Sequence, residues 1–83
     1  DQYLFLKHML IKNKIDHKQI IKYYFHKNKR WDIYFKNNTR VKLPEKDIGK
    51  ALRLYKQFIQ NNTIEPFSSI DLRISNRIVL NNE

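Results

Sequence analysis

Three histidines, His8, His17 and His26, recur at nine-residue intervals in this 83-residue chain, and imidazole is the side chain that most often holds a transition metal. A nine-residue repeat matches no metal-binding spacing. The three also fall on a helix, a turn and a strand end, so they read as surface side chains. Cysteine is absent, which excludes disulfides, thiolate nucleophiles and cysteine-based zinc sites. Asp32 and Asp71 are candidates for a carboxylate pair in acid–base chemistry, but each stands two residues from an arginine, Arg30 or Arg73. Cross-strand ion pairing explains them more simply. Ser68-Ser69 has no histidine or lysine nearby in a nucleophile-activating pattern, and a chain with one glycine has no glycine-rich phosphate loop. These residues describe a domain that binds something and catalyses nothing, with no cofactor.

The charge suggests what could be bound. Lys and Arg outnumber Asp and Glu by 17 to 8, an excess that attracts nucleic acid, anionic lipid or an acidic protein. Lysine supplies most of it and accompanies abundant asparagine and isoleucine, the bias of an AT-rich coding sequence, so much of the excess reads as a solvated surface. The segment "IIKYYFHKNKRW" does interleave basic and aromatic residues as single-strand-binding platforms do, and a basic nucleic-acid-binding module is the alternative reading. Against it, Tyr23, Phe25 and Trp31 alternate on neighbouring strands, which is how a sheet builds a core under a helix.

The elements that must position these residues follow from periodicity. The opening "QYLFLKHMLIKNK" has helical length, with apolar residues nearly all round the wheel, which implies burial against a preceding segment. "QIIKYYFH" is β-branched and aromatic and reads as a strand. Asn28-Lys29 turns into "RWDIYFK", where Trp31, Ile33 and Phe35 share one face, and Asn37-Asn38 turns into "TRVKL", which Pro44 ends. After Pro44 the period lengthens to 3.6. With Asp47 as N-cap, Ile48, Ala51, Leu52, Tyr55, Phe58 and Ile59 form one side of an amphipathic helix. Asn61-Asn62 ends it, "TIEPF" is a loop, and a final hairpin follows. The order helix, three strands, helix, two strands gives an α+β fold with helices on one face of an antiparallel sheet.

Residues 1–83 read as a single domain excised from a longer protein, with no apolar run near the roughly 20 residues that cross a bilayer. The last hairpin poses a problem. Ile70, Leu72 and Ile74 alternate with polar residues, but Ile78-Val79-Leu80 is apolar on both faces, and such strands normally lie inside a sheet.

The ordered set Arg30-Trp31-Asp32, Val41, Leu43-Pro44-Glu45, Asp71-Leu72-Arg73 and Arg77 resembles the C-terminal β domain of the FtsQ/DivIB family of bacterial cell-division proteins. Asn38 stands where that pattern has a turn glycine and Ser75 where it has a proline. The resemblance implies a non-enzymatic scaffold: a periplasmic domain of a single-pass cytoplasmic-membrane protein, whose transmembrane helix and POTRA domain lie outside these residues. It also implies FtsB- and FtsL-like partners, with an FtsB-like segment adding as a strand to an open C-terminal edge. That edge would comprise Arg73, Ile74, Ser75, Asn76, Arg77, Ile78, Val79 and Leu80, with Arg73, Lys29 and Arg30 receiving acidic residues. An edge awaiting a partner strand would explain Ile78-Val79-Leu80.

Overall fold

A computed structural model describes residues 1–61 and 69–81. The expected loop "TIEPF" and the helix stop at Asn62 lie outside the described residues. The chain forms α1 (Gln2–Lys12), a 3-10 turn at His17–Gln19, β1 (Ile20–Phe25), β2 (Trp31–Phe35), β3 (Arg40–Lys42), α2 (Ile48–Asn61), β4 (Ser69–Asp71) and β5 (Val79–Asn81). The five strands form one sheet in the order β1-β2-β3-β4-β5. The α+β class and the element order are those implied by the sequence. The sheet is mixed rather than wholly antiparallel, because α2 carries the chain back to the end where β3 began and β4 runs parallel to β3. A parallel neighbour requires such a crossover.

Non-glycine residues in left-handed conformations set the turns. In the β1–β2 turn, the Lys29 amide donates to the His26 carbonyl and the His26 amide to the Arg30 carbonyl, with Lys29 at φ 65°. The β2–β3 turn repeats this, with the Asn38 amide donating to the Phe35 carbonyl and the Phe35 amide to the Thr39 carbonyl, and Asn38 at φ 68°. Both are type I turns closed by a residue in the left-handed region. Asn38 fits because asparagine tolerates positive φ; Lys29 must bear the cost.

The same economy ends α1. Asp1 caps its start by accepting from the Tyr3 amide at 2.8 Å. At its end the Lys14 amide donates to the Ile11 carbonyl and the Ile15 amide to the Leu10 carbonyl, with Lys14 at φ 58°. That pattern usually employs glycine. Asp47, expected as the cap of α2, stands just before that helix at φ 60°, and its carbonyl accepts from the Ala51 amide.

Both helices lie on one face of the sheet. Tyr3 of α1 meets Tyr23 edge-on at 5.1 Å and Trp31 at 6.4 Å, and Tyr55 of α2 stacks on Phe35 at 5.9 Å. Beneath them run Ile33, Val41 and Ile70, which face one another across β2, β3 and β4 and are buried with Trp31, Leu43 and Leu72. Helix α2 buries Ile48, Ala51, Leu52 and Tyr55, with Phe58 and Ile59 partly buried against the same core. Gly49 lets α1 and α2 approach: a Cβ there would meet Met9 Sδ at 3.3 Å. Only Leu6 and Leu10 of α1 are buried, whereas Leu4, Phe5 and Ile11 are exposed. The apolar faces of α1 that the sequence reading assigned to a preceding segment are thus left uncovered by the described residues.

Candidate functional site: a free edge beside a basic cleft

Strand β5 closes one end of the sheet. Asn81, Leu80 and Val79 stand opposite Ser69, Ile70 and Asp71, and no described strand lies beyond them. Its apolar residues now have separate explanations. Leu80 extends the buried row of Ile33, Val41 and Ile70 to the sheet margin, Val79 points to the opposite face beside Asp71, and Ile78 packs partly against the core. Val79 and Leu80 remain 39% and 37% exposed, because a lone edge strand is covered by a neighbour on one side only.

The edge is shorter than the sequence suggested. Strand β4 stops at Asp71, although Leu72 continues its ladder by donating to the Lys42 carbonyl. Ile74, Ser75 and Asn76 form the turn, which the Arg77 amide closes on the Ile74 carbonyl with Asn76 at φ 60°. Of the expected edge residues Ile74 to Leu80, then, Val79 and Leu80 lie in the ladder, together with Asn81, which the sequence reading missed.

The turn residues have a different role. Arg30, Arg73, Ile74, Ser75 and Asn76 line a cleft of about 660 Å³ between the β1–β2 turn, the β3–α2 loop and the outer side of α2. Lys46, Lys50 and Arg53 add three cations to Arg30 and Arg73, against the carboxylates of Glu45 and Asp47, while Leu54, Ala51 and Leu72 supply an apolar lining. Lys29 sits in the adjoining turn but does not line the cleft. The α2 cations were missed because a charged helix face opposite a buried one reads as solvated surface. Nothing in a single sequence says that a turn 20 residues onward folds against it.

Arg73 is held in place. Its Nε donates to Asp71 Oδ1 at 2.9 Å and its Nη2 to Oδ2 at 2.6 Å, and the Arg73 amide also donates to Oδ1. This fork gives two parallel charge-assisted bonds. Hydrogen bonding from Arg73 holds the Asp71 carboxyl below its ordinary range, and the same bond holds Arg73 above its own. Asp32 departs from expectation: its partner is His26, with Nε2 3.1 Å from Oδ2, and not Arg30. Arg30 Nε instead reaches the Asn28 amide oxygen at 3.0 Å. Asp32 points to the face away from the helices yet is buried, so the nearest donor on the adjacent strand end claims it.

Among the described residues no group of three or more potential ligands could hold a metal ion, and no helix is long and apolar enough to cross a membrane. His8, His17 and His26 are not brought together. Most of the aromatics of the suspected nucleic-acid platform face the helices: Phe25 and Tyr23 contact buried Trp31, with ring centroids at 4.6 and 6.3 Å. On the opposite face Tyr24 and Tyr34 remain, each approached by the Lys22 ammonium.

Comparison with known proteins agrees with the ordered sequence pattern. The stretch aligned with the "Cell division protein FtsQ" of Rickettsia typhi (strain ATCC VR-144 / Wilmington) is 35% identical over 52 residues, and it covers 60% of this chain and 20% of that protein. No solved structure matches. The family described as "Cell division protein FtsQ/DivIB, C-terminal" matches residues 2–73, ending at Arg73 and leaving β5 outside the matched stretch. With that match spanning both helices and four of the five strands, the chain belongs to the FtsQ/DivIB cell-division family, as its C-terminal domain.

Proposed function

We propose that this domain is a non-enzymatic scaffold of the division machinery that captures a partner segment by strand addition at β5, with the cleft receiving acidic residues of that segment. The carrying observation is the juxtaposition of a free edge, Val79–Asn81, with a cleft holding five cations and two carboxylates. Main-chain bonds to the edge supply affinity without demanding sequence. The cleft and the exposed Val79 and Leu80 supply selection. The cations also steer an acidic segment toward the edge and discriminate against basic ones.

The family resemblance nominates FtsB- and FtsL-like proteins as the partners. It also nominates a periplasmic position in a membrane-anchored parent of which this chain is one domain; the aligned stretch spans about a fifth of the FtsQ relative. Catalysis has no part in the proposal. The charged groups at the cleft are five cations and two carboxylates, of which Arg73 is engaged by Asp71, and that set supports binding an acidic segment.

The test is a binding titration with a peptide from the FtsB-like protein of the same genome. Truncation after Asn76 should abolish binding, with circular dichroism checking that the remaining fold persists. Arg73→Glu would also break the fork to Asp71, so Lys50→Glu, on the α2 side of the cleft, is the cleaner charge reversal and should weaken binding by about tenfold at low salt and by less at high salt. Unchanged affinity in the truncated domain would exclude β5 as the site.

A further inference from the structure

The face of the sheet away from the helices carries a row of alternating charges. Tyr24, Asp32, Lys42, Asp71 and Val79 stand in register across the five strands. His26, two residues beyond Tyr24, sets its ring 4.7 Å from the tyrosine ring and its Nε2 3.1 Å from Asp32 Oδ2. At the other end Arg73 closes its fork on Asp71. Each carboxylate thus stands between two basic side chains, Asp32 between His26 and Lys42, Asp71 between Lys42 and Arg73, and opposite charges on paired strand positions attract.

Asp32 is the member that depends most on its neighbours. It is 7% exposed, and a carboxylate withdrawn from water relies on the cations around it. Lys42 is one. Arg73 also responds to it, being held above its ordinary range chiefly by its bonds to Asp71 and further by the charge of Asp32. His26 is the third, and imidazole is the side chain whose charge ordinarily changes between about pH 5 and 8, an interval in which lysine, arginine and aspartate ordinarily keep theirs. The His26 side chain is 41% exposed, so solvent protons reach it.

Both ends of the row reach the basic cleft. The turn after His26 supplies Asn28 and Arg30 to one wall, and Arg73 leads into Ile74, Ser75 and Asn76 on another. A change of charge at His26 is made behind the first wall and reaches the second through Asp32.

We propose that this row makes the cleft sensitive to pH: protonated His26 offsets the Asp32 charge, Arg73 then presents more of its own field, and an acidic segment is held more tightly. The binding arm of this inference rests on the proposed function, whereas the coupling of His26 to Arg73 does not. The sign follows from the charges. With His26 neutral the row sets two carboxylates against two cations and has no net charge; with His26 protonated it carries one positive charge. Lys27, Lys29 and Arg30 of the same turn add positive charge in either state, and Tyr24 offers His26 its ring. His8 and His17 belong to α1 and the 3-10 turn and not to this row.

The test follows the Arg73 side-chain Nε–H resonance and the His26 ring resonances of the isotope-labelled chain from about pH 8 to about pH 6. The two should move with one midpoint, and Arg73 should stop moving in His26→Gln, which keeps a donor for Asp32 without titrating. The acidic peptide of the binding titration should bind about threefold more tightly at the lower pH, and equally at both in His26→Gln. An Arg73 resonance that stays still while His26 titrates overturns the proposal, whether or not the peptide binds. So does peptide affinity that is unchanged by pH in the wild-type chain, or a pH dependence kept in full by His26→Gln. Arg73 following His26 in a chain that binds no peptide at either pH would support the coupling and overturn the strand-addition reading instead.

Discussion

The two edges of this sheet are built differently. Strand β1 is long, bears Ile21 and Phe25, and is accompanied by a helix with its own exposed apolar side chains. Strand β5 is short and stands beside a cleft of arginines and lysines. The five cations of that cleft suit the edge to a partner of opposite charge. The β1 edge carries one charged residue, Lys22, among its six, with apolar and aromatic side chains around it. The contrast teaches that an open edge says only that pairing is possible, and that the charge and apolarity around it select the kind of partner.

The largest expected effect destroys both edges together. Trp31 is buried among Tyr3, Tyr23 and Phe25, and Trp31→Ala should cost about 3–5 kcal/mol, a large share of the stability of a domain this small. Urea melts measure it. A loss below about 1 kcal/mol would mean that Trp31 is accessible and would favour the aromatic platform of the nucleic-acid reading.

A second effect separates the edges by pH. The Asp71 carboxyl, held low by its bonds from Arg73, contributes stability that is fully present above its ordinary value of 3.8 and is lost as pH falls through its lowered folded value. Acid should therefore loosen the β4–β5 turn while leaving the β1–β2 hairpin of Ile33 and Tyr23 formed. In Asp71→Asn the acid-induced loss attributable to this group should disappear, as followed by amide shifts of Arg73 and Val79. An identical acid profile in the variant would detach Asp71 from the turn.

The turn chemistry was legible in the sequence because it is local. Asn28-Lys29 and Asn37-Asn38 sit where the hairpins close, and the helical period from Ile48 onward marks the buried side of α2. Partner choice over longer distances was not legible. The parallel pairing of β4 with β3 depends on where α2 returns the chain, and the His26–Asp32 pair on how two strand ends meet. The apolar alternation of β1 looks the same whether its outer side is covered or free. Of the expected site, Arg30, Arg73 and the turn residues Ile74 to Asn76 line one cleft, and Val79 and Leu80 enter the ladder, because the chain reverses at Ile74–Asn76 between them.

The smallest effect touches neither edge and so calibrates the rest. Lys14 holds a left-handed conformation at the end of α1, so Lys14→Gly should raise stability by about 0.5 kcal/mol, the relief of strain exceeding the entropy that glycine adds to the unfolded chain. Thermal melts should show the gain with peptide binding unchanged. A loss would mean that the Lys14 side chain holds the helix end.

On the proposed reading β5, and not β1, receives the division partner. Titrating the isotope-labelled domain with the acidic FtsB-like peptide, while following every backbone amide, addresses it most directly. The largest shifts are expected at Val79, Leu80 and Asn81, smaller ones at Arg73 and Arg30, and little change from Ile20 to Phe25. Shifts concentrated in Ile20–Phe25, with Val79–Asn81 unmoved, would contradict it.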